Sequence, residues 1–551
     1  MTTTTGPTSA TSATLDPARL TLLDTLSPFE LQTELGVLAA RSGAPVLDAG
    51  KGQPNWLATT SRYAFHLLGR FAVGEAERSA THPDAGWHID PRGVADRLAD
   101  FLGDHHDEPG AGLLSDAVAL GITRLELVPD VWVGELVGGI LGDRYPSPHR
   151  ALAHVERLLH EYLVATHCAE GAPPGRFRLF ATEGGAAAMT YVTQSLRRNG
   201  VLGRGDRVAV GVPIFTPYLQ IPTLEEFGFD IVYLRAAEEL GWRYPASELE
   251  RLRDRSIKAF FLVNPGNPGT RALSADERQV LTDVVSEDRP DLIILVDTAY
   301  ATFLDGFHSL LADLPRQTIG VHSFSKHFGA TGSRLAFIAM HEDHVVDDLL
   351  RHQPDDDKAL QAARYRSVTD TADKLAFVDR AVAESRDVAL YHIAGLSTPQ
   401  QVQMALHAAF VLGDAGRTYL QMTRDVLQGR LHTLLDPLGV PFPTDGDTHY
   451  YTLLDVLQLA ELRHGKAFAD WLLAYEHPLT FPIMLAERAG VVGLPGRGFE
   501  APTWSVRISL ANLPETAYPA IAKAVHTVLD ELHSSHVSSV VRKTSAQEEA
   551  R

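Results

Sequence analysis

The chain has 551 residues and a mass of 60.1 kDa, so at about 100 to 200 residues per domain it should contain more than one folding unit. Hydrophobic residues make up 45% of the sequence and charged residues 21%, which is typical of a globular protein and excludes disorder over the whole chain. Lysine and arginine number 49 against 69 aspartate and glutamate, and the resulting net charge of −20 argues against nucleic acid as a partner.

Cysteine usage and hydropathy bear on the compartment. Cys168 is the only cysteine, which excludes an intrachain disulfide and any metal site built from several cysteines. No run approaches the roughly 20 apolar residues that span a bilayer. Residues 1–14 also lack the basic and apolar regions of a signal peptide. We therefore expect a cytoplasmic protein with no membrane partner, and we predict no metal site.

Composition and hydrophobic periodicity divide the chain into tails, domains and an insertion. The two ends are rich in small polar residues and too poor in large apolar side chains to offset the entropy of ordering. The predicted parts, in chain order, are a disordered tail at 1–15, an N-terminal helical region at 16–145 that contributes to a small domain and to dimer contacts, a large domain at 146–345, a helical insertion or linker at 346–396, a C-terminal small domain at 397–533 and a disordered tail at 534–551.

The middle third alternates short apolar runs with longer amphipathic stretches. This pattern predicts an α/β fold in which a mostly parallel seven-stranded sheet lies between helices, beside a smaller α/β domain. Ligands of such sheets gather at the carboxyl ends of the strands. The predicted strands cover residues 177–181, 207–212, 230–234, 258–263, 292–296, 319–324 and 335–340.

The segment that follows the sixth of these strands concentrates chemically active side chains. Ser323, Ser325 and Arg334 can donate to a phosphate, the arginine through a fixed fork. Lys326, between them, can form a Schiff base with an aldehyde. The spacing therefore predicts a phosphate group and a reactive amine at the same strand end.

Three further strand ends carry polar groups. Asp297 ends an apolar run with Tyr300 three residues later, and an anionic carboxylate beside a pyridine nitrogen would keep that nitrogen protonated. Asn267 lies in a Pro- and Gly-rich turn that would hold its amide in place. Gly184, Gly185 and Ala186 open a helix after a strand, where free backbone N–H groups and the helix dipole favour a phosphate.

These elements, in this order and each at a strand end, resemble the fold-type I pyridoxal 5'-phosphate (PLP) enzymes of the aspartate aminotransferase superfamily, class I/II. The resemblance implies PLP as the cofactor, Lys326 as the Schiff-base and proton-transfer residue, and Asp297 as the partner of the ring nitrogen. It also implies that Tyr300 and Asn267 contact the 3-oxygen of the ring. The other cofactor-binding residues that it implies are Gly184, Gly185, Ala186, Ser323, Ser325 and Arg334.

The resemblance extends to the neighbours of the ring and to the substrate. Phe215 occupies the position of an aromatic side chain over the cofactor ring. Tyr145 resembles a tyrosine that reaches the phosphate of a neighbouring subunit, which implies a homodimer with shared active sites and allows a larger homo-oligomer. Arg507 resembles the arginine whose fork binds the α-carboxylate of an amino-acid substrate.

Several motifs resemble the aspartate 4-decarboxylase family within this superfamily more closely. That resemblance implies conversion of aspartate to alanine and CO2, with aminotransferase activity beside it. The motifs lie at residues 26–31, 50–55, 182–185, 213–218, 330–332, 394–400 and 494–499.

Two residues at the expected distal end of the substrate depart from that family. Gln32 stands where the family carries a lysine, and Lys51 where it carries an arginine. Fewer charge-assisted contacts should weaken recognition of a distal carboxylate. A second hypothesis is therefore γ-elimination or replacement, with C–C bond formation, on a larger amino acid such as S-adenosylmethionine, with a nicotinamide nucleotide as a possible second substrate. A third is a non-catalytic, aminotransferase-like regulator, although no basic helix-turn-helix segment is evident.

Overall fold

The structure is a computed structural model that describes residues 17–80, 88–144, 150–388, 395–443 and 446–549. Internal contacts separate the chain into two compact units. The small unit consists of the described parts of Met1–Gly52, Gln428–Phe442 and Tyr451–Arg551. The large unit consists of the described parts of Gln53–Leu427 and Pro443–Tyr450.

Strands and helices occur in both units. The strands are β1 (Leu47–Asp48), β2 (Phe177–Thr182), β3 (Arg207–Val212), β4 (Asp230–Arg235), β5 (Ile257–Val263), β6 (Ile293–Asp297), β7 (Thr318–Ser323), β8 (Ala336–His341), β9 (Tyr451–Asp455), β10 (Val491–Val492), β11 (Leu494–Pro495) and β12 (Ser505–Ser509). The α-helices are α1 (Pro17–Asp24), α2 (Pro28–Arg41), α3 (Thr59–Ala80), α4 (Val94–Asp104), α5 (Ala111–Thr123), α6 (Pro129–Leu141), α7 (Ala153–His167), α8 (Gly185–Arg198), α9 (Pro217–Gln220), α10 (Ala246–Glu250), α11 (Ala275–Glu287), α12 (Leu310–Asp313), α13 (Val345–Arg351), α14 (Asp355–Arg364), α15 (Phe377–Ser385), α16 (Thr398–Leu412), α17 (Asp414–Leu438), α18 (Val456–His464), α19 (Lys466–Tyr475), α20 (Thr480–Ala489) and α21 (Ala517–Glu549). Within the described ranges, no helix combines the length and the apolar character that crossing a lipid bilayer would require.

The large unit contains a single seven-stranded sheet in the order β2-β8-β7-β6-β5-β3-β4. β8 runs antiparallel to both of its neighbours, and the other pairs are parallel. This arrangement confirms the predicted mostly parallel sheet. The register pairs Val263 with Asp297 and Asp297 with Val321, so the carboxyl ends of β5, β6 and β7 lie side by side. The residues that follow these three strands are therefore neighbours in space.

The central strands are apolar on both faces because helices cover both of them. β6 and β7 are buried along their whole length. Phe260 and Leu262 of β5 belong to one core cluster with Leu281 of α11. Leu179 of β2 and Phe337 of β8 belong to another cluster, which also contains side chains of α3 to α7 and α16.

The small unit is organised around α2 and two short sheets. Ser27 caps α2 in a capping box with Glu30, as expected for a helix that begins at a Ser-Pro pair. Leu31 and Leu35 of α2 share a core cluster with Ile483 of α20. β11, β12 and β9 form an antiparallel sheet, and β1 pairs with β10 in parallel.

The structure corrects the prediction of a disordered C-terminal tail at 534–551. α21 continues to Glu549, so the tail is helical up to that residue. The helix is anchored by buried side chains before the predicted boundary, among them Val525 and Leu529, and extending an existing helix costs far less than nucleating one. The predicted tail at 1–15 lies outside the described residues.

Two domain boundaries also differ from the prediction. Of the N-terminal region at 16–145, only the part up to Gly52 belongs to the small unit, whereas α3 to α6 belong to the large unit. α16, which was assigned to a small domain at 397–533, is also part of the large unit, and the small unit resumes at Gln428. The reason is packing, because α16 shares a buried core with α3, α6 and α7. The predicted insertion at 346–396 contains α13, α14 and α15.

Candidate active site

The loop after β7 carries Lys326, and its backbone is held from several sides. The indole of Trp56 donates to the carbonyls of Lys326 at 3.2 Å and His327 at 3.0 Å. Gly329 has φ +59°, and a Cβ there would lie 1.9 Å from the Trp56 carbonyl oxygen, so only glycine allows this close approach. The Lys326 ammonium lies 5.9 Å from the centre of the Tyr450 ring. A half-buried amine is thus presented on a fixed loop.

Asp297, at the end of β6, is a buried carboxylate with two short hydrogen bonds. Its Oδ2 accepts from the Tyr218 hydroxyl at 2.5 Å, and its Oδ1 accepts from the Ala299 backbone N–H at 2.9 Å. Burial raises the pKa of Asp297, while the two hydrogen bonds and the charge of Lys326 oppose that rise. Burial, together with the charge of Asp297, raises the pKa of Tyr218 well above its ordinary value, so the phenol is a neutral donor.

Asn267 and Tyr300 meet beside Asp297. The Asn267 amide donates to the Tyr300 hydroxyl at 3.2 Å, and both side chains are buried. The Tyr300 ring packs against Tyr450 at 5.0 Å between ring centres. This pair was singled out in the sequence because each residue follows a strand end, and the register of β5 and β6 brings the two together.

The turn between β2 and α8 meets the loop after β7. Gly184 has φ +100°, and a Cβ there would lie 1.9 Å from Nη2 of Arg334, so the arginine crosses directly over the turn. A Cβ on Gly185 would lie 3.7 Å from Cβ of Ser323. The Ser323 hydroxyl donates to the Ser325 hydroxyl at 3.0 Å. The turn at Gly184 therefore lies close to two hydroxyls and a guanidinium. It also leads into the N-terminus of α8, which has no side-chain cap.

The other residues that the sequence predicts to bind a cofactor lie in different settings. Ala186 lies in the first turn of α8, and its side chain is exposed. Phe215 packs edge-to-face on Tyr218, with 5.5 Å between ring centres and an angle of 89°. Its position thus joins the Tyr218–Asp297 pair. Tyr145 lies outside the described residues.

The residues that hold Asp297 and the end of β6 in place were not predicted from the sequence. Tyr218 lies in the motif at residues 213–218, and its hydrogen bond to Asp297 joins side chains 79 positions apart. Thr298 accepts or donates in bonds to both His167, at 2.9 Å, and His322, at 3.2 Å. Burial lowers the pKa of His322 to about 4 and that of His167 well below its usual value, so both rings are neutral. The sequence hints at this network only through polar residues in or beside apolar, strand-like runs, such as His322 and Thr298.

In the small unit, Arg507 is a buried cation on β12. Its Nη2 donates to the Gly50 carbonyl at 2.8 Å. The guanidinium carbon lies 4.3 Å from the centre of the Tyr451 ring and 4.5 Å from that of Phe499, so aromatic faces hold its plane. With 4% of its surface exposed, Arg507 is largely shielded from solvent.

Gln32 and Lys51, the predicted distal substrate residues, both contact Asp48. The Gln32 amide donates to Oδ1 of Asp48 at 3.2 Å, and the Lys51 ammonium lies 3.3 Å from Oδ2. The structure brings both residues together in the small unit with the loop that contacts Arg507. Asp48 itself was not singled out in the sequence.

The large unit thus contains a seven-stranded, mostly parallel sheet, and the ends of its strands carry a lysine, an aspartate and a glycine-containing turn. The sequence profile of the family Aminotransferase class I and II matches residues 177–525. The chain belongs to this family, and it is an enzyme of that class.

Two relatives within the family are similar to this chain over very different lengths. The chain is 41% identical over 520 residues to a bifunctional aspartate aminotransferase and L-aspartate beta-decarboxylase of Pseudomonas sp, which covers 93% of this chain and 98% of the relative. It is 31% identical over 154 residues to an aspartate aminotransferase of Pyrococcus abyssi, covering 27% of this chain and 38% of that protein.

Solved structures share the fold. The aspartate aminotransferase of Thermus thermophilus, solved with maleate, has a TM-score of 0.57 and 17% identity, covering 93% of this chain and 98% of that one. The aromatic aminotransferase of Pyrococcus horikoshii OT3 has a TM-score of 0.56 and 17% identity, covering 88% of this chain and 96% of that one. At this identity the likeness concerns the fold alone.

Proposed function

We propose that this enzyme binds PLP and converts L-aspartate to alanine and CO2, with transamination as a second activity. The observation that carries the proposal is the 41% identity to the Pseudomonas enzyme, which extends over 98% of that enzyme's length. Lys326, Asp297 and Arg507, which the chemistry needs, are present, and the described parts of the structure hold each in a defined environment. The comparisons do not favour the alternative of γ-replacement on S-adenosylmethionine.

The large unit fits the proposed cofactor. The turn at Gly184 has no room for a Cβ beneath Arg334, and the adjacent end of α8 lacks a side-chain cap, which suits a phosphate. Thr182, at the start of this turn, has a buried hydroxyl with no hydrogen-bond partner among the described residues. We assign the phosphate to Gly184, Gly185 and Ala186 with Ser323, Ser325 and Arg334, and the ring to Asp297, Tyr300, Asn267 and Phe215.

When bound, PLP supplies an aldehyde that captures amines and a protonated ring that withdraws electrons from the substrate. Lys326 provides the amine that holds the aldehyde in the resting enzyme. Once the substrate amine has replaced it, the Lys326 Nζ can take the proton from Cα of the substrate and return one to a neighbouring carbon. The fixed backbone at Lys326 limits where this amine can move.

The other residues orient groups and hold charge. Asp297 would hold a proton on the ring nitrogen, and the hydrogen bonds from Tyr218 and the Ala299 N–H favour the ionised form of its carboxylate and orient it. Arg507 binds the α-carboxylate of aspartate through its fork. Breaking the bond between Cβ and the β-carboxylate would release CO2 and leave the electron pair on the substrate, and proton uptake at Cβ with return of a proton to Cα would then give alanine. Transfer of the amino group to the cofactor, with water supplying the keto oxygen, would instead give oxaloacetate.

We also propose a homodimer in which Tyr145 of one subunit reaches the phosphate site of the other. The resemblance of the surrounding motif to the superfamily supports this arrangement. Sedimentation of the purified protein tests the assembly, and co-expression of Tyr145→Phe chains with Lys326→Ala chains tests sharing. A mixed dimer with shared sites should recover the activity of one intact site, because the Lys326 of the Tyr145→Phe chain is then completed by the partner's Tyr145. If each site used its own Tyr145, the mixed dimer would contain no intact site.

The central test is conversion of aspartate by purified protein supplied with PLP. We expect CO2 and alanine as major products and oxaloacetate as a minor one. Borohydride reduction followed by mass spectrometry should place the cofactor on Lys326. Lys326→Ala should lose both the adduct and turnover, while Lys358→Ala, a matched change at an exposed helical lysine, should retain both. An enzyme that carries the adduct but releases neither product from aspartate would contradict the proposed reaction.

A further inference from the structure

Asp48 accepts three contacts at the loop that follows β1. Its Oδ1 accepts from the Gln32 amide at 3.2 Å and from the Gly50 backbone N–H at 3.1 Å. Its Oδ2 lies 3.3 Å from the Lys51 ammonium. The two side chains that were predicted to read the distal end of the substrate thus already share one carboxylate of the protein.

The carboxylate is the fixed member of this group, and the lysine is the mobile one. The Asp48 carbonyl accepts from the Asn512 amide at 2.6 Å, and β1 pairs Asp48 with Val492. The Asp48 side chain is 20% exposed, whereas that of Lys51 is 64% exposed. An exposed ammonium can exchange one carboxylate for another at small cost, because its pair is screened by solvent.

The same loop contacts Arg507. The Gly50 carbonyl accepts from Arg507, and the Gly50 N–H donates to Asp48, so one residue links the buried guanidinium to the Asp48 carboxylate. A Cβ on Gly50 would lie 3.0 Å from the Gln32 amide nitrogen, which shows how closely that amide covers the loop. An amino acid held by Arg507 through its α-carboxylate therefore has Asp48 and Lys51 on the adjoining segment, with Gln32 of α2 beside them.

We propose that Asp48 is a specificity-determining residue whose carboxylate competes with the distal carboxylate of a dicarboxylic substrate for Lys51 and Gln32. The inference rests on the proposed function for the identity of the reaction, but not for the binding of dicarboxylates. Gln32 and Lys51 are donors, and a second carboxylate must either displace Asp48 or share them with it. Asp48 thereby weakens binding of aspartate and leaves amino acids without a distal charge unaffected.

Asp48→Asn tests the competition while preserving the size of the side chain and an oxygen for the Gly50 N–H. We expect KM for aspartate to fall about twofold to fivefold, the range of an exposed ion pair, with kcat unchanged. Transamination of alanine, which has no distal carboxylate, should keep its KM. Asp470→Asn removes an equivalent partner from the exposed Lys466 of the same unit and should change neither substrate. An unchanged or raised KM for aspartate in Asp48→Asn would overturn the proposal.

Binding of maleate, a dicarboxylate that undergoes no turnover, separates this inference from the proposed reaction. Calorimetry should show maleate binding about twofold to fivefold tighter to Asp48→Asn than to wild type, with propionate unchanged. The gain should shrink when Lys51→Gln is combined with Asp48→Asn, because Lys51 is one of the two donors for which the carboxylates compete. If maleate responds in this way but aspartate yields no product, only the proposed reaction fails. Equal maleate affinity in wild type and Asp48→Asn would refute the competition whatever the reaction.

Discussion

Replacing Tyr218 by phenylalanine removes one neutral hydrogen-bond donor from a buried carboxylate. The O–H···O distance of 2.5 Å to Asp297 lies in the range of charge-assisted bonds. Such bonds contribute about 1.5 to 3 kcal/mol, and losing one raises the pKa of Asp297 because the ionised carboxylate loses more than the neutral carboxyl does. The Ala299 N–H and the charge of Lys326 remain, so the carboxylate loses only part of its support.

The effect on stability should depend on pH in a defined direction. Because burial raises the pKa of Asp297, the native chain holds this proton more tightly than the unfolded chain does. The stabilising contribution is therefore complete below the ordinary carboxyl pKa and is lost as the pH rises through the raised pKa. Tyr218→Phe raises that pKa further, so its cost should be about 1.5 to 3 kcal/mol at pH 8 and should shrink toward about 1 kcal/mol in acid, where a neutral bond is lost.

Urea unfolding of wild type and Tyr218→Phe at several pH values measures this difference. Tyr518→Phe is the matched control, because the buried Tyr518 hydroxyl donates to the neutral carbonyl of Ser509 at 3.2 Å. Its cost should be about 1 kcal/mol and should not vary with pH. A pH-independent difference for Tyr218→Phe, or one that grows in acid, would refute the reasoning about Asp297.

Two further changes probe the turn proposed to bind phosphate and the arginine proposed to bind substrate. Gly184→Ala places a Cβ at φ +100° and 1.9 Å from Nη2 of Arg334. We therefore expect retention of PLP, measured by equilibrium dialysis, to fall at least tenfold. Gly171→Ala, at φ +130° with open space around it, is the control for backbone strain alone. Arg507→Lys keeps the charge but loses the two-pronged guanidinium. We expect KM for aspartate in steady-state kinetics to rise about tenfold to 100-fold, equivalent to about 1.4 to 3 kcal/mol. An unchanged KM would show that Arg507 does not bind the substrate.

The sheet and the cluster of polar residues at its strand ends were predictable, because the residues that end the apolar runs also belong to that cluster. β6 is an apolar run that stops at Asp297, and β7 is one that stops before Lys326, so the strand ends could be read directly from the sequence. Parallel pairing then brings those ends together whatever the loops do. The glycine turn at Gly184 was found for the same reason, since it follows β2 and opens α8.

The substrate side was less predictable because it depends on pairings between distant, very short elements. β1 and β10 are two residues each, too short to show any hydrophobic alternation. Their register fixes Asp48, and only then do Gln32 and Lys51 acquire a common partner. In the same way, the Tyr218 bond to Asp297 depends on how the turn after β3 folds back toward β6, which no local pattern encodes.

The groups around Asp297 share a property that explains why its charge is available. Tyr218 is a neutral donor, and burial keeps His167 and His322 uncharged behind the strand end. A cationic donor in place of Tyr218 would form an ion pair with the Asp297 carboxylate and would compete with a protonated ring nitrogen for it. Neutral hydrogen bonds orient the carboxylate without cancelling its charge, and among the described residues Lys326 is the positive group whose charge lowers the pKa of Asp297. A Tyr218→His variant that became protonated should therefore weaken PLP retention more than Tyr218→Phe does.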